Sequence, residues 1–207
     1  MSSSRDLYDL LASRGLGSEE DYASGFHLVW AEGLEFEELG RRLGADVDNA
    51  FSRRIAEASP GAGGPFIWGG AVGAWAQAIP FCELPDNSYL RLLSRDGGRA
   101  LSIQSAHNNC RLDWAVNGEI VTFLAIDWPD ARGGTDPHAL DSLMEGLRFE
   151  LEEPGSVTDP VTVEVSLTSA LRLAARITGH EITGEWLDGV HTAYAFSPNG
   201  HAHNPWS

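Results

Sequence analysis

The chain has no lysine at all, only two cysteines and two methionines, and no long hydrophobic run. Each shortage removes a class of chemistry. Without lysine there is no Schiff-base amine, no phosphate-loop lysine and no Ser-Lys dyad. Cys82 and Cys110 are too few for a disulfide framework or a zinc knuckle, and they read as small buried hydrophobes. No apolar run reaches the roughly 18 residues a membrane helix needs. The start, Met1-Ser2-Ser3-Ser4-Arg5-Asp6, lacks the basic-then-apolar order of a secretory leader. A cytoplasmic protein is expected.

Arginine supplies all 14 basic residues against 30 acidic ones, giving a formal net charge of −16. A field of that sign repels phosphate, so neither nucleic acid nor an anionic membrane is an expected partner. The hydrophobic content of 43% and charged content of 21% are ordinary for a folded globule. The 207 residues suffice for one sizeable core.

The clearest element present is a hairpin, Arg111–Ile126, turning at Asn117-Gly118. Asn-Gly tolerates positive φ at both positions and so favours a two-residue type I′ turn. In that register Val116 faces Glu119, Trp114 faces Val121, Leu112 faces Phe123 and Cys110 faces Ala125. These residues share one face, which should lie on the core; the opposite face, with Arg111, Asp113 and Thr122 but also Ile120, Leu124 and Ile126, is expected to be half covered.

Three further strands are expected: Phe66–Val72 and Trp75–Phe81, folded near Gly73, and Arg99–Ser105. Apolar spacing gives helices over Leu34–Leu43 and Val163–Thr178, stopped by Gly44 and Gly179. A first helix carries Leu7, Leu10 and Leu11, and Ser88 caps a short one, Tyr89–Leu93. Asp48 is read as capping a helix with Phe51, Ile55 and Ala58 inward; Asp136 and Pro137 start one with Leu140, Leu143 and Leu147; Thr183 caps a last one. The state of Phe26–Trp30 stays undecided.

The expected fold is α+β: a single domain over 1–196, an antiparallel sheet of about five strands with helices at the N- and C-terminal ends. Residues 197–207 are read as a mobile or surface-docked tail.

The segments Phe36-Glu37-Glu38-Leu39-Gly40-Arg41-Arg42-Leu43-Gly44-Ala45, Asn117-Gly118-Glu119-Ile120-Val121-Thr122 and Leu171-Arg172-Leu173-Ala174-Ala175-Arg176-Ile177-Thr178-Gly179 resemble an actinobacterial domain-of-unknown-function family common in Streptomyces and relatives. The likeness runs from about residue 22 to 195 and implies one intracellular domain. It implies no activity and no catalytic residues.

Candidate chemistry is sparse. Asp127 and Asp130 share a polar loop with Asp136, Arg132 and His138; such carboxylates can do acid–base work or hold a hard cation, though a solvated loop and helix cap is the commoner use of Asp in such turns. His107 sits near Cys110 on one turn, a placement that seldom orients a catalytic pair. His191 with His201 and His203 makes a candidate set for Zn²⁺ or Cu²⁺. Among seven tryptophans, Trp30, Trp68, Trp75 and Trp114 fall in apolar runs and read as core. Trp128, Trp186 and Trp206 lie at element ends or in the tail and are candidate binding anchors.

No cofactor is expected. The leading expectation is a non-enzymatic acidic interaction protein, an immunity- or accessory-type binder of a basic protein partner. One alternative is a metal-dependent or acid/base hydrolase using the loop Asp and His residues. The other is a carrier domain presenting its C-terminal peptide to a partner or modifying enzyme.

Overall fold

The computed structural model describes residues 6–16, 25–57, 64–84, 86–106, 109–126, 131–149 and 161–196. In chain order the elements are α1 (Asp6–Ala12), β1 (Phe26–Glu32), α2 (Phe36–Arg42), β2 (Phe51–Arg54), β3 (Phe66–Val72), β4 (Trp75–Pro80), α3 (Ser88–Leu93), β5 (Arg99–Ala106), β6 (Asn109–Val116), β7 (Glu119–Ala125), β8 (Arg132–Gly133), α4 (Asp141–Met144), α5 (Val163–Thr178), α6 (Gly184–Asp188) and β9 (Val190–Ala195).

The strands form one antiparallel sheet in the order β2-β9-β3-β4-β1-β5-β6-β7-β8. It has nine strands, not about five. The five expected strands are β3 to β7; the additions are β1, β2, β8 and β9. β1, the undecided run, lies at the centre between β4 and β5. The segment read as a helix after Asp48 is instead β2, followed by a 3₁₀ turn, Ile55–Glu57. Its Phe51–Arg54 backbone pairs with Ala193–Val190 of β9, a partner more than 130 residues away that no local periodicity announces. α4 also begins later than expected, after Leu140. Asp136 does not cap it; its Oδ1 accepts from the His138 N–H within the preceding turn.

Helices cover both faces of the sheet. On one face Leu7 and Leu11 of α1, Leu167, Leu171 and Ala174 of α5 and Leu187 of α6 pack over Leu28, Trp68, Ile79, Ile103, Leu112 and Leu124. On the other, Phe36 and Leu39 of α2 and Tyr89, Leu90 and Leu93 of α3 pack over Val29, Ile67 and Ala78. A row of alanines, Ala76, Ala31, Ala100 and Ala115, crosses that second face. Short side chains there leave room for the short helices to seat closely. Trp30, Trp68, Trp75 and Trp114 are all buried, as the sequence implies. α5 is the longest described helix, and no described helix is long and apolar enough to cross a membrane. Its C-terminus is closed by Gly179 in the left-handed conformation.

The hairpin turn is as expected, with Asn117 and Gly118 both at positive φ, but its register is not. A bulge between Trp114 and Ala115 sets Trp114 opposite Thr122, Leu112 opposite Leu124 and Asp113 opposite Phe123. Val121 is the extra residue. Its carbonyl turns away from β6 and accepts from the Asp136 N–H at 2.9 Å, while the Thr122 hydroxyl donates to the Asp136 carbonyl at 2.7 Å. The loop before α4 therefore stabilises the bulge. Phe123 is consequently not sealed beside Trp114. It lies on the opposite face, half-buried, with the Arg111 guanidinium 4.3 Å from its ring centre. Asp113, expected on a half-covered face, is only 5% exposed because α3 covers it.

Candidate functional site

Asp127, Asp130, His107, Trp128, Trp206, His201 and His203 lie outside the described residues. Trp186 and His191 are described, and the structure brings them together. The Thr183 hydroxyl accepts from the Trp186 N–H and starts α6. α6 ends at Gly189, and β9 then carries His191 back beside Trp186. The His191 Nε2–H donates to the Trp186 carbonyl at 2.8 Å. The two rings lie 4.6 Å apart, and each packs edge-on against Trp68, at 5.1 Å from Trp186 and 4.6 Å from His191. The Trp68 indole donates to the Arg53 carbonyl of edge strand β2. Trp186 is thus tucked into an aromatic cluster rather than standing free. Its Nε1 is buried without a hydrogen-bond partner among the described residues.

The ring around this corner is charged. Glu181, Glu185 and Asp188 are exposed, as is Glu57 of the adjoining 3₁₀ turn. Asp188 is held by Arg14 at 2.8 Å, and that guanidinium draws its carboxyl below the ordinary range. The Arg54 guanidinium donates to the Asp188 carbonyl. Val190, at the start of β9, is 55% exposed.

A second concentration of polar groups lies on the other sheet face, under α3. The Tyr89 hydroxyl meets His27 Nε2 at 2.7 Å. Tyr89 is completely surrounded by protein, which pushes its phenol up, with a bond to Ser102 opposing that shift. Burial also lowers His27 from its ordinary 6.5 to about 4. Next to them, Asp113 Oδ1 accepts from Asn87 Nδ2 at 2.7 Å and from Arg111 Nε at 2.8 Å. Burial raises the Asp113 carboxyl, opposed by those two partners. Strand pairing aligns the participants: His27 with Gln104 and Gln104 with Arg111 in one row, Val29 with Ser102 and Ser102 with Asp113 in the next. Sequence reasoning missed this cluster, because its members come from four elements and none sits in a motif. The one legible trace was Asp113, a carboxylate set between Leu112 and Trp114.

Near the polar loop, Asp141 takes Arg132 and His138, each at 2.8 Å. His138 is largely solvent-exposed, and pairs of this kind contribute little to stability. Among the described residues, no three His, Cys, Asp or Glu side chains gather closely enough to hold a metal ion. Cys82 and Cys110 are not joined in a disulfide. Burial and the neighbouring Glu83 push the Cys82 thiol up to about 12, so it is a poor nucleophile.

No curated protein and no solved structure matches the chain. A family match begins at Cys82 and runs through α3, β5 to β9 and α4 to α6. The matched segment does not close a sheet alone, since β9 reaches β5 only across β3, β4 and β1, all N-terminal to the match. Residues 82–200 match the family of unknown function DUF6461 over more than half of the chain, and the protein belongs to that family.

Proposed function

We propose that this protein is an acidic interaction module that binds a basic protein partner. The reading rests on how its charges are disposed. Arg14, Arg41, Arg42, Arg99, Arg111, Arg132 and Arg172 are all engaged by carboxylates of the same chain. Arg54, Arg91 and Arg176 donate to backbone carbonyls. Ten arginines are therefore spent internally, in a chain where 30 acidic residues face 14 arginines. The surplus projects a negative field that steers a positive partner.

That surplus is dense around α2 and the segment leading into β2. Glu35 and Asp48 are exposed there with Asp46 beside them, while Glu37 and Glu38 are taken up by Arg41 and Arg42. Edge strand β2 adds Phe51, an exposed aromatic at the rim of the sheet. An aromatic anchor beside unneutralised carboxylates suits a surface rich in arginine or lysine.

The test is affinity capture from the native host with the full chain, in parallel with the double variant Glu35→Arg, Asp48→Arg. The expected result is one stoichiometric basic protein, released as salt is raised and lost with the double variant. Both positions are exposed, so the variant should fold. Failure to retain any basic protein would overturn the reading, as would retention that salt and charge reversal leave unchanged. Metal-dependent or hydrolytic turnover by the purified chain would favour the enzyme alternative.

A further inference from the structure

The sheet ends in β8, of two residues, on one side and in β2, of four, on the other. Edge strands are commonly guarded by charged side chains, and β2 carries Arg53 and Arg54. Both are tied back to their own chain. The Arg53 guanidinium lies 4.9 Å from the centre of the Phe66 ring and 5.7 Å from that of Phe51. The Arg54 guanidinium donates to the Asp188 carbonyl. No described strand pairs with the outer side of β2, and Phe51, Ser52 and Arg54 are exposed.

Two hydrogen bonds show which backbone groups of β2 point outward. The Arg53 carbonyl accepts from the Trp68 indole at 2.8 Å, and Trp68 lies inward, on β3 beyond β9. The Arg54 N–H donates to the Glu57 carboxylate at 3.1 Å, outside the ladder with β9. In an antiparallel strand the N–H and C=O of one residue share a side, and successive residues alternate. Phe51 and Arg53 therefore turn theirs toward β9, and Ser52 turns both of its groups to the edge. Backbone groups left in this way are a template for another strand.

We propose that the occupant of this edge is a second copy of the chain, paired antiparallel through β2 about a two-fold axis at Ser52. A closed two-fold contact needs a surface complementary to itself. Here the Ser52 N–H donates to the C=O of the partner's Ser52, and the exchange is reciprocal. The same register sets Phe51 opposite the partner's Arg53 and Arg53 opposite the partner's Phe51, a cation against an aromatic ring twice over. Arg53 suits this contact because it is not one of the ten arginines engaged by carboxylates or carbonyls. Sliding one way sets Arg53 against the partner's Arg53; sliding the other way pairs residues before Phe51, outside the strand. Four residues make a small interface, so the dimer is weak and concentration-dependent. The net charge of −16 on each copy opposes pairing. Added salt screens that repulsion and should strengthen the dimer, the reverse of its effect on a basic partner. Pairing covers Phe51, so self-association competes with the basic partner and does not depend on it.

The experiment is sedimentation velocity of the purified full chain over a concentration series, at about 50 mM and about 500 mM salt, with the fold of each variant confirmed by circular dichroism. The expected result is a monomer–dimer equilibrium that tightens at the higher salt. Ser52→Pro removes an N–H that faces away from β9 and should weaken the dimer about tenfold or more, since two hydrogen bonds are lost. Phe51→Arg sets arginine against the partner's Arg53 and should abolish pairing. The double variant Phe51→Arg, Arg53→Phe exchanges the two sides of the same contact and should restore it. The Phe51 variants decide the matter even if Ser52→Pro fails to fold. A chain that stays monomeric at every concentration and salt would overturn the proposal. So would a dimer that Ser52→Pro and Phe51→Arg leave unchanged, or one that the double variant does not restore.

Discussion

His27 makes the fold acid-sensitive in a way that can be calculated. Its imidazole lies under α3 against the Tyr89 hydroxyl, and burial lowers it from 6.5 to about 4. The folded protein therefore holds a proton on this ring less tightly than the unfolded chain does. Between pH 6.5 and 4 the unfolded state takes up a proton that the folded state refuses, so stability present above 6.5 is lost as pH falls through that window. At 1.36 kcal/mol for each pH unit separating the two values, the loss approaches about 3 kcal/mol. Carboxylates lose their ion pairs over part of the same range, so the clean quantity is a difference. His27→Gln keeps an acceptor for Tyr89 and does not titrate. Urea denaturation followed by tryptophan fluorescence, at pH 7 and at pH 4, should show wild type losing about 2–3 kcal/mol more than this variant. Parallel losses in the two proteins would refute the reasoning, as would an NMR titration of His27 with a midpoint near 6.5.

The other perturbations are simpler. Trp114→Ala should cost about 3–5 kcal/mol, as large-to-small changes in a core do, read as a fall in the denaturation midpoint; Trp114 is 7% exposed. Asp113→Ala strands Asn87 Nδ2 and the partly exposed Arg111 guanidinium, and should cost about 2–3 kcal/mol. Asp113→Asn should cost less, because it retains an acceptor and removes a carboxyl whose ionisation burial opposes; equal losses in chemical denaturation would contradict this. Gly179→Ala meets no atom within 4 Å, so its cost is conformational: φ is 77° there, and thermal unfolding should register about 1 kcal/mol. Cys82 should resist iodoacetamide at pH 8 in the native state and react on unfolding, followed by mass spectrometry.

What the sequence disclosed and what it hid divide along physical lines. Features set by neighbouring residues were legible: the Asn117-Gly118 turn, the apolar stripe of α5 with its Gly179 stop, the Thr183 cap, and four core tryptophans. Features set by distant pairing were not. Phe51, Ile55 and Ala58 have helical spacing, yet β9 draws Phe51–Arg54 into the sheet. The bulge at Val121 depends on Asp136, and it reverses the face of Phe123. Asp113 read as only half covered because nothing local indicates a helix seated over it. The corner around Trp186 was half legible. An end-of-element Trp and a His stood out, but Trp68, against which both pack, joins them only through the order of strands.

That strand order underlies both the buried polar cluster and the aromatic corner, with β1 at the centre of the sheet and residues N-terminal to the family match bridging β9 to β5. Native-state hydrogen exchange tests it most directly. The account predicts that the amides of Leu28 to Ala31 in β1 exchange among the slowest, near the global unfolding limit, while those of β2 and β8 at the two edges exchange early. Fast exchange throughout β1, with the β5–β7 strands still protected, would contradict it.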